Sequence, residues 1–297
     1  MTEATNLKPL VSIIMIFFNA EKFIEEAIQS VFAQPYENWE LIMVDDGSTD
    51  GSSKIAQKYA QQQQGRVRYL EHPQHQNYGR SASRNLGIRD AKGEYITFFD
   101  SDDFWLPGKL QQQTAILAAH PEVGLVCSPA QWWYGWTGRP EDLERDFVQR
   151  LDVPRDTVLE GHDILLLYLQ NEWASICDLL ARREVVEAVG GWEPTFRGMY
   201  DDQVFHAKLC LRFAAFVTSE WWYRYRQHPD SCTASSHRAG QYHSTRRIFL
   251  YWLQEHLSKG GDNNNAELWK VLRKELWSVR HPRLSHIVRH IQGWQRR

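Results

Sequence analysis

The chain has 297 residues, of which 42% are hydrophobic and 24% charged, and its formal net charge is −3. This length suits one large α/β domain with an appendage or two small domains. The composition is that of an ordinary globular protein and lacks the positive charge of a nucleic-acid-binding one. The four cysteines have no short paired spacing, which argues against a zinc site and favours a reducing compartment. Residues 1–9 lack the apolar stretch of a signal peptide, and no apolar run approaches the roughly 18 residues of a membrane-spanning helix.

The first half of the chain alternates predicted strands and helices. Residues 10–17 form a continuous apolar run, typical of a parallel strand covered on both faces. We predict that Asn19 caps a helix over residues 20–34, in which apolar side chains recur at helical spacing. The following elements are a strand at 39–44, a helix ending near 63, a strand at 67–70, a helix at 80–90, a strand at 95–99, a helix at 107–119 and a strand at 123–127. This order predicts a doubly wound, mostly parallel sheet flanked by helices.

The second half is less regular. Residues 129–156 read as an irregular excursion, and helical patterns follow at about 163–170, 183–189 and 202–211. Residues 216–226 contain β-like stretches, and the pattern is helical from 240 onward, with a break at 260–265. We therefore divide the chain into a tail (1–9), two halves of one α/β domain (10–128 and 129–239) and a helical C-terminal extension (240–297).

Three predicted strands end in polar clusters. The clusters are Phe18-Asn19, Asp45-Asp46 and Asp100-Ser101-Asp102. Ligands of open parallel sheets bind outside the carboxyl ends of the strands, so the clusters are expected to converge on one crevice. Asp100, Asp102 and Asp103 would repel one another unless a cation neutralised them, which favours Mg²⁺ or Mn²⁺; the alternative is a solvated acidic turn. The chain has no G-x-G-x-x-G after the first strand and no G-x-x-x-x-G-K, which disfavours dinucleotide-binding and Walker-type NTPase sites.

Several ordered motifs resemble those of family 2 glycosyltransferases with the GT-A fold. The matching segments are VSII at 11–14 with Asn19, VDDGSTD at 44–50, GRSASRNLGI at 79–88, AKGEYI at 91–96, DSDD at 100–103, GGW at 190–192 and DD at 201–202. Many relatives have Glu-Asp where this chain has Asp201-Asp202. The resemblance covers residues 10–232 and implies that 10–128 bind a nucleotide-diphospho-sugar and 129–239 the acceptor.

The resemblance also implies a donor site and a metal. Asp46 would accept a hydrogen bond from a ring N–H of the base, which suits uracil, although thymine and guanine also offer one. Asp102, with Asp100 and His228, would hold Mg²⁺ or Mn²⁺ at the diphosphate, and Asp100 would more directly face the ribose or nucleotide. The residues assigned to the nucleotide-sugar are Phe18, Asn19, Asp45, Asp46, Arg84, Asp100 and Ser101. Asp45-Asp46 could instead serve as a turn and helix cap, and His228 as an ordinary loop residue.

On the acceptor side the resemblance makes Asp202 the catalytic base. Asp201, Trp192 and Trp132 are the predicted acceptor contacts, with core packing as the alternative for the tryptophans and a helix-cap pair as the alternative for the aspartates. Such an enzyme would invert the configuration at the anomeric carbon. The chain lacks the Gln-x-x-Arg-Trp motif of processive relatives, so transfer of a single sugar is expected.

The basic C-terminal segment suggests a location. Residues 266–297 carry eight Lys or Arg against two Glu, and four apolar side chains share one helical face. The segment could rest on the inner face of an anionic membrane, where lipid-linked acceptors reside, or pack on the domain with a solvated basic face. We expect a cytoplasmic protein that meets a glycan or lipid-linked acceptor. Two other functions stay open: a non-catalytic relative that binds a nucleotide-sugar or a partner, and a nucleotidyl- or phosphoryl-transfer enzyme.

Overall fold

The computed structural model describes residues 8–150, 153–154, 156–170, 178–260 and 265–282. The strands are β1 (Val11–Phe17), β2 (Trp39–Asp45), β3 (Val67–Glu71), β4 (Tyr95–Asp100), β5 (Phe104–Trp105), β6 (Leu125–Cys127), β7 (Ala130–Trp133), β8 (Phe147–Val148), β9 (Thr157–Leu159), β10 (Leu180–Arg182), β11 (Ala215–Val217) and β12 (Tyr223–Arg226). The α-helices are α1 (Ile24–Phe32), α2 (Ser52–Gln62), α3 (Arg80–Asp90), α4 (Lys109–Ala119), α5 (Pro140–Leu143), α6 (Gly161–Leu169), α7 (Arg183–Ala188), α8 (Asp201–Cys210), α9 (Cys232–Arg238), α10 (Tyr242–Gly260) and α11 (Ala266–Arg280).

One large sheet organises the molecule. Within the described residues it has eight strands in the order β3-β2-β1-β4-β10-β6-β11-β9. The strands β3, β2, β1 and β4 run parallel, whereas β10 is antiparallel to β4 and β6. A smaller sheet has the order β5-β12-β7-β8. The predicted α/β class, a mostly parallel sheet flanked by helices with a helical C-terminal region, is confirmed.

The core explains why the first half forms parallel strands. Every residue of β1 and β2 is buried, because helices cover both faces of the sheet. Gly87 lets α3 approach β1 closely, since a Cβ at this position would lie 2.4 Å from Ile14 Cγ2. This close approach brings the first two turns of α3 to the carboxyl ends of β1 and β4.

Two local predictions differ from the structure. Asn19 does not cap α1; its φ is +51° and its side-chain oxygen accepts from Thr49 N at 2.7 Å, while α1 begins only at Ile24. Asn19 therefore ties the β1–α1 loop to the loop after β2. Residues 129–156, predicted to be irregular, contribute β7 and β8 to the smaller sheet. Strands β5, β9 and β10 and helix α9 were not predicted.

The helical C-terminal region packs on the second half. The Arg246 guanidinium donates to Leu169 O at the end of α6 at 2.6 Å and to Glu275 Oε2 on α11 at 2.8 Å. Residues 261–264 of the predicted break lie outside the described residues; α10 ends at Gly260, and Asn265 caps α11 by accepting from Leu268 N at 2.9 Å. Among the described residues, no helix combines the length and the apolar composition needed to span a membrane.

Candidate active site

A cleft of about 480 Å³ opens at the carboxyl ends of β1, β2 and β4. Its lining combines the polar clusters that follow these strands with two later segments, 197–198 and 228–232. The predicted convergence is thus observed. The predicted site residues in the lining are Phe18, Asn19, Asp46, Asp100, Ser101, Asp102 and His228.

Asp46 fixes one wall of the cleft. Its carboxylate is 4% exposed and accepts hydrogen bonds from Tyr78 N at 2.8 Å, Gly79 N at 3.0 Å and Ser83 Oγ at 3.0 Å. Gly79 has a φ of +90°, a conformation that disfavours residues with a Cβ. Asp46 therefore holds the turn that leads into α3, and its contact with a base stays a prediction.

Asp45 has a structural role and lies outside the cleft lining, and its contact with the donor stays a prediction. It is fully buried and accepts from Ser48 N at 2.8 Å, Ser53 Oγ at 2.5 Å and Tyr69 OH at 3.1 Å. The alternative interpretation of a turn residue applies to Asp45. In contrast, Phe18 lies in the lining with 52% of its side chain exposed, which leaves an aromatic surface free for a ligand.

The loop after β4 is anchored by its last carboxylate. Asp103 is 1% exposed and accepts from Tyr223 OH and from Arg226 N, the latter at 2.7 Å. The Arg226 side chain also donates to Asp102 O at 2.6 Å. Burial, and next the charges of Asp102 and Asp100, raise the pKa of Asp103 well above its usual range. The smaller sheet therefore sets the position of Asp102.

Asp102 and His228 form the candidate metal site. Asp102 Oδ2 lies 3.0 Å from His228 Nε2, so a carboxylate oxygen and an imidazole nitrogen meet at the cleft wall. The carboxylate oxygen suits Mn²⁺ or Mg²⁺, whereas an imidazole nitrogen is a donor for transition-metal ions, so the pair fits Mn²⁺ better than Mg²⁺. The described part of the chain holds no cluster of three or more His, Cys, Asp or Glu that could bind a metal. Two protein ligands still fit such an ion, because Mg²⁺ is commonly bound by one or two carboxylates plus substrate phosphates.

Asp100 faces a different partner. Its Oδ1 accepts from Arg84 Nη2 at 2.7 Å, and Arg84 Nη1 donates to Asp201 Oδ2 at 3.0 Å. Arg84 is 1% exposed and stacks over Trp192 with its guanidinium carbon 4.1 Å from the ring centroid. Arg84 therefore holds Asp100 and Asp201 in place, and its contact with the donor stays a prediction. A ligand role of Asp100 stays a prediction.

Asp201 and Asp202 begin α8 in different surroundings. Asp201 is 2% exposed and paired with Arg84 and with Arg80, whose Nη2 lies 2.6 Å from Asp201 Oδ1. Asp202 Oδ1 accepts from Gln203 N at 2.7 Å. Burial, and next the charge of Asp201, raise the pKa of Asp202 to about 6. The cleft lining reaches Arg80 and Gly198 beside Asp202 but does not include the Asp202 carboxylate.

Two predicted acceptor contacts, Trp192 and Asp201, have buried side chains, and their acceptor role stays a prediction. Trp192 is 1% exposed and stacks on Phe205 with the ring centroids 4.5 Å apart. Asp201 is enclosed by its two arginines. Trp132 is half-buried in β7, stacks on Phe147 and lies outside the cleft lining, so its acceptor role stays a prediction.

Three cationic residues to which the sequence assigned no site role line the cleft: Lys22, Arg80 and Arg197. Arg80 could have been found, because it precedes Arg84 by one helical turn on α3. Arg197 is exposed and lies over Gly79, where an added Cβ would be 3.5 Å from Arg197 Cγ. No sequence signal marks Arg197 or Lys22, since both lie in irregular segments.

Many relatives and many solved structures resemble the chain, among them two of each kind that illustrate the likeness. "Putative teichuronic acid biosynthesis glycosyltransferase TuaG" of Bacillus subtilis (strain 168) is 44% identical over 110 residues, 37% of this chain and 42% of that protein. An uncharacterized glycosyltransferase of Haemophilus influenzae is 46% identical over 105 residues, 35% of this chain and 41% of that protein. The chain thus spans less than half the length of these relatives.

The solved structures resemble the fold over most of the chain. S. aureus TarS 1–349 in complex with UDP-GlcNAc has a TM-score of 0.64 at 19% identity and covers 92% of this chain and 73% of that chain. The mannosyltransferase PcManGT from Pyrobaculum calidifontis, in complex with GDP-Man and Mn²⁺, has a TM-score of 0.58 at 21% identity and covers 92% and 70%. These likenesses support the GT-A fold. The family model for glycosyl transferase family 2 matches residues 12–164, just over half of the chain, and the chain therefore belongs to that family.

Proposed function

We propose that the chain is a metal-dependent, inverting, non-processive glycosyltransferase. It moves one hexosyl or N-acetylhexosaminyl unit from a nucleotide-diphospho-sugar, with UDP-sugars favoured, to an acceptor hydroxyl in cell-surface glycan synthesis. The observation that carries the proposal is the cleft in which the Asp46-held turn, the Asp102–His228 pair and the segment 197–198 that leads into α8 lie together. Residues 10–128 serve the donor, 129–239 the acceptor, and the protein works in the cytoplasm.

The donor side has a surface for each part of a nucleotide-sugar. The exposed ring of Phe18 offers a stacking face for a base. Asp102 and His228 would hold Mn²⁺ or Mg²⁺, which supplies Lewis-acid stabilisation of the charge on the departing diphosphate. Complexes of solved neighbours with UDP-GlcNAc, and with GDP-Man and Mn²⁺, support this class of donor.

The acceptor side has a base whose basicity suits neutral pH. With a pKa of about 6, Asp202 is ionised at pH 7 yet accepts a proton more readily than an ordinary aspartate. Arg80 and Arg84 hold the adjacent Asp201 and so fix the start of α8. A hydroxyl activated by Asp202 attacks the anomeric carbon opposite the leaving group, which inverts its configuration.

One observation favours the alternative of a non-catalytic relative: the Asp202 carboxylate lies outside the cleft lining. Binding and transfer must therefore be measured separately. We would record melting temperatures with UDP, UDP-GlcNAc, UDP-glucose and GDP-mannose, each with Mn²⁺ and with EDTA. Ligands that bind the folded state raise the melting temperature by mass action.

We expect UDP-sugars to raise the melting temperature of the native chain only with Mn²⁺. In Asp102→Asn, this Mn²⁺-dependent rise should be lost. Asp230→Asn is the matched control, because Asp230 is an exposed carboxylate of the same cleft. Stabilisation by none of the nucleotides would overturn the proposal. Donor stabilisation without transfer to any glycan or lipid-linked acceptor would favour the binding-only alternative.

A further inference from the structure

The C-terminal helices present an exposed aromatic surface that we name the α10–α11 face; it comprises Ile248, Tyr251, Trp277, Arg280 and His281. The exposed fractions of its three large hydrophobic side chains are 57% for Ile248, 41% for Tyr251 and 43% for Trp277. Seven large hydrophobic side chains are exposed in the described residues, so this small region holds three of them. Exposed apolar side chains gathered at one place mark an interaction surface more often than scattered ones do.

Side chains of the α10–α11 face bridge the two helices. Arg280 Nε donates to Tyr251 OH at 2.8 Å, which joins α11 to α10. Trp277 stacks on His281 with the ring centroids 5.0 Å apart. The opposite sides of both helices already fill the core with buried residues: Phe249, Leu250, Leu253, Leu268, Leu272 and Leu276. The aromatic residues of the face are thus not needed to hold the helices on the domain.

The charge of this region is opposite to that of the rest of the chain. Residues 242–282 carry seven Lys or Arg against four Asp or Glu, and residues 283–297 add four arginines and no acidic residue. The first 241 residues carry 33 acidic against 23 basic residues. Arg247 on α10 and Lys270, Arg273 and Lys274 on α11 are exposed. A partner of negative charge therefore fits the helices and not the remainder of the molecule.

We propose that the α10–α11 face docks on an anionic lipid bilayer. Tryptophan and tyrosine settle at the level of lipid headgroups, where one end of the ring is apolar and the other wet, and nearby cations attract anionic lipids. The face would lie in the interface rather than cross the bilayer, in keeping with helices that are not apolar enough to span it.

Docking would orient the candidate active site. Helix α10 packs on the segment that leads into α8: Trp252 lies edge-on to Phe196 with centroids 6.0 Å apart, and Phe249 stacks on Tyr200 at 5.6 Å. A bilayer under the face therefore holds the start of α8 at a fixed distance from the lipid headgroups. This consequence for an acceptor carried by a lipid rests on the proposed function, whereas bilayer binding does not.

The test is flotation of the full chain with vesicles of phosphatidylcholine, with and without phosphatidylglycerol, over a range of salt concentrations. We expect flotation only with phosphatidylglycerol and a decline as salt rises. Lys270→Glu, Arg273→Glu and Lys274→Glu together should weaken partitioning by at least roughly fivefold for each cation. Ile248→Ser, Tyr251→Ser and Trp277→Ser together should also lower the floated fraction, at every salt concentration.

Matched controls exist elsewhere on the surface. Leu143→Ser with Phe147→Ser removes exposed hydrophobic side chains of the second half, and Lys54→Glu, Arg89→Glu and Lys92→Glu removes the same number of exposed cations. Melting temperatures without vesicles check that each variant is folded. The proposal is overturned if the native chain does not float at low salt or if the controls reduce flotation as much. It is also overturned if the aromatic variant lowers the mass of the free protein in sedimentation, because a second copy then covers the face.

Discussion

At the scale of single residues, the two adjacent aspartates that begin α8 show how the surroundings give the same type of side chain different properties. Asp201 lies between two guanidinium groups, 2.6 Å from that of Arg80 and 3.0 Å from that of Arg84. Its negative charge is compensated by these two ion pairs. Burial raises the pKa of Asp202 to about 6, and the charge of Asp201 adds to the effect. A carboxylate with a raised pKa accepts a proton more readily than an ordinary one. The geometry therefore favours Asp202 as the base.

Asp202→Asn should lower sugar transfer by roughly 10²–10⁴-fold, the usual worth of general-base catalysis, and leave donor affinity nearly unchanged. The native enzyme should lose activity as the pH falls through about 6, because the base must be ionised and its pKa is raised to that value. Both the effect of the substitution and the pH dependence are measured as transfer rates at saturating donor from roughly pH 4.5 to 8, a range that spans the expected transition.

The matched control for this prediction is Asp163→Asn. Asp163 is a half-exposed acidic residue in the first turn of α6. Its substitution therefore removes a similar helix-terminal charge without changing the cleft. Near-native transfer by Asp202→Asn would refute the role of Asp202. An unchanged rate at pH 5 in the native enzyme would contradict the raised pKa.

The Asp102–His228 pair gives a second prediction. Asp102→Asn keeps the shape of the side chain but removes the negative charge that binds a divalent ion. Titration calorimetry of UDP should therefore show tighter binding with Mn²⁺ than without it for the native chain, and nearly equal binding for the variant. Asp230→Asn should behave like the native chain. An unchanged effect of Mn²⁺ in Asp102→Asn would remove Asp102 from the metal site.

At the scale of elements, the close contact between α3 and β1 carries the third prediction. An added Cβ at Gly87 would lie 2.4 Å from Ile14 Cγ2, in the core. Gly87→Ala should lower the free energy of unfolding, because overpacking costs about 1–3 kcal/mol and exceeds the gain of about 1 kcal/mol in helix propensity. It should also weaken donor binding, since α3 positions Arg84 against Asp100.

Gly260→Ala separates strain from propensity. Gly260 is the last residue of α10 and has no atom within 4 Å of an added Cβ, so only the helix propensity changes. Urea denaturation should show no loss of stability for Gly260→Ala. A stability of Gly87→Ala equal to that of the native chain would mean that α3 and β1 can separate without cost.

Elements with a strong local pattern could be predicted from the sequence. The helix at 80–90 was predicted with its observed bounds, and the strand at 39–44 within one residue. Strand β10 has only three residues, and it exists because β4 and β6 offer hydrogen bonds on both sides, a tertiary effect without a local signal. Motif spacing likewise located Trp192 in the right segment but could not tell that the ring faces Phe205 rather than the cleft.

At the scale of the whole molecule, the two predicted halves are not separate bodies. Strand β6 of the first half pairs with β10 and β11 of the second, so one sheet runs through both. The ion pairs at the cleft also cross between the halves, since Arg84 on α3 binds Asp201 on α8. The boundary near residue 128 therefore does not separate folding units, and we expect a single cooperative unfolding transition.

A double-mutant cycle on Arg84 and Asp201 tests this coupling. Arg84→Met leaves the buried Asp201 with one fewer partner, and breaking a buried pair typically costs about 3–5 kcal/mol. Because the residues share one network, the double variant with Asp201→Asn should be more stable than the summed single effects imply, with an interaction free energy of roughly 0.5–3 kcal/mol.

The control pair is Glu255→Gln and Lys259→Met, whose ion pair on α10 is largely exposed and should show no measurable coupling. Urea denaturation followed by tryptophan fluorescence and circular dichroism measures both quantities. Additive effects at Arg84 and Asp201 would mean that the sheet alone holds the two halves together. Two resolved transitions in the native chain would mean that the halves do not unfold as one unit.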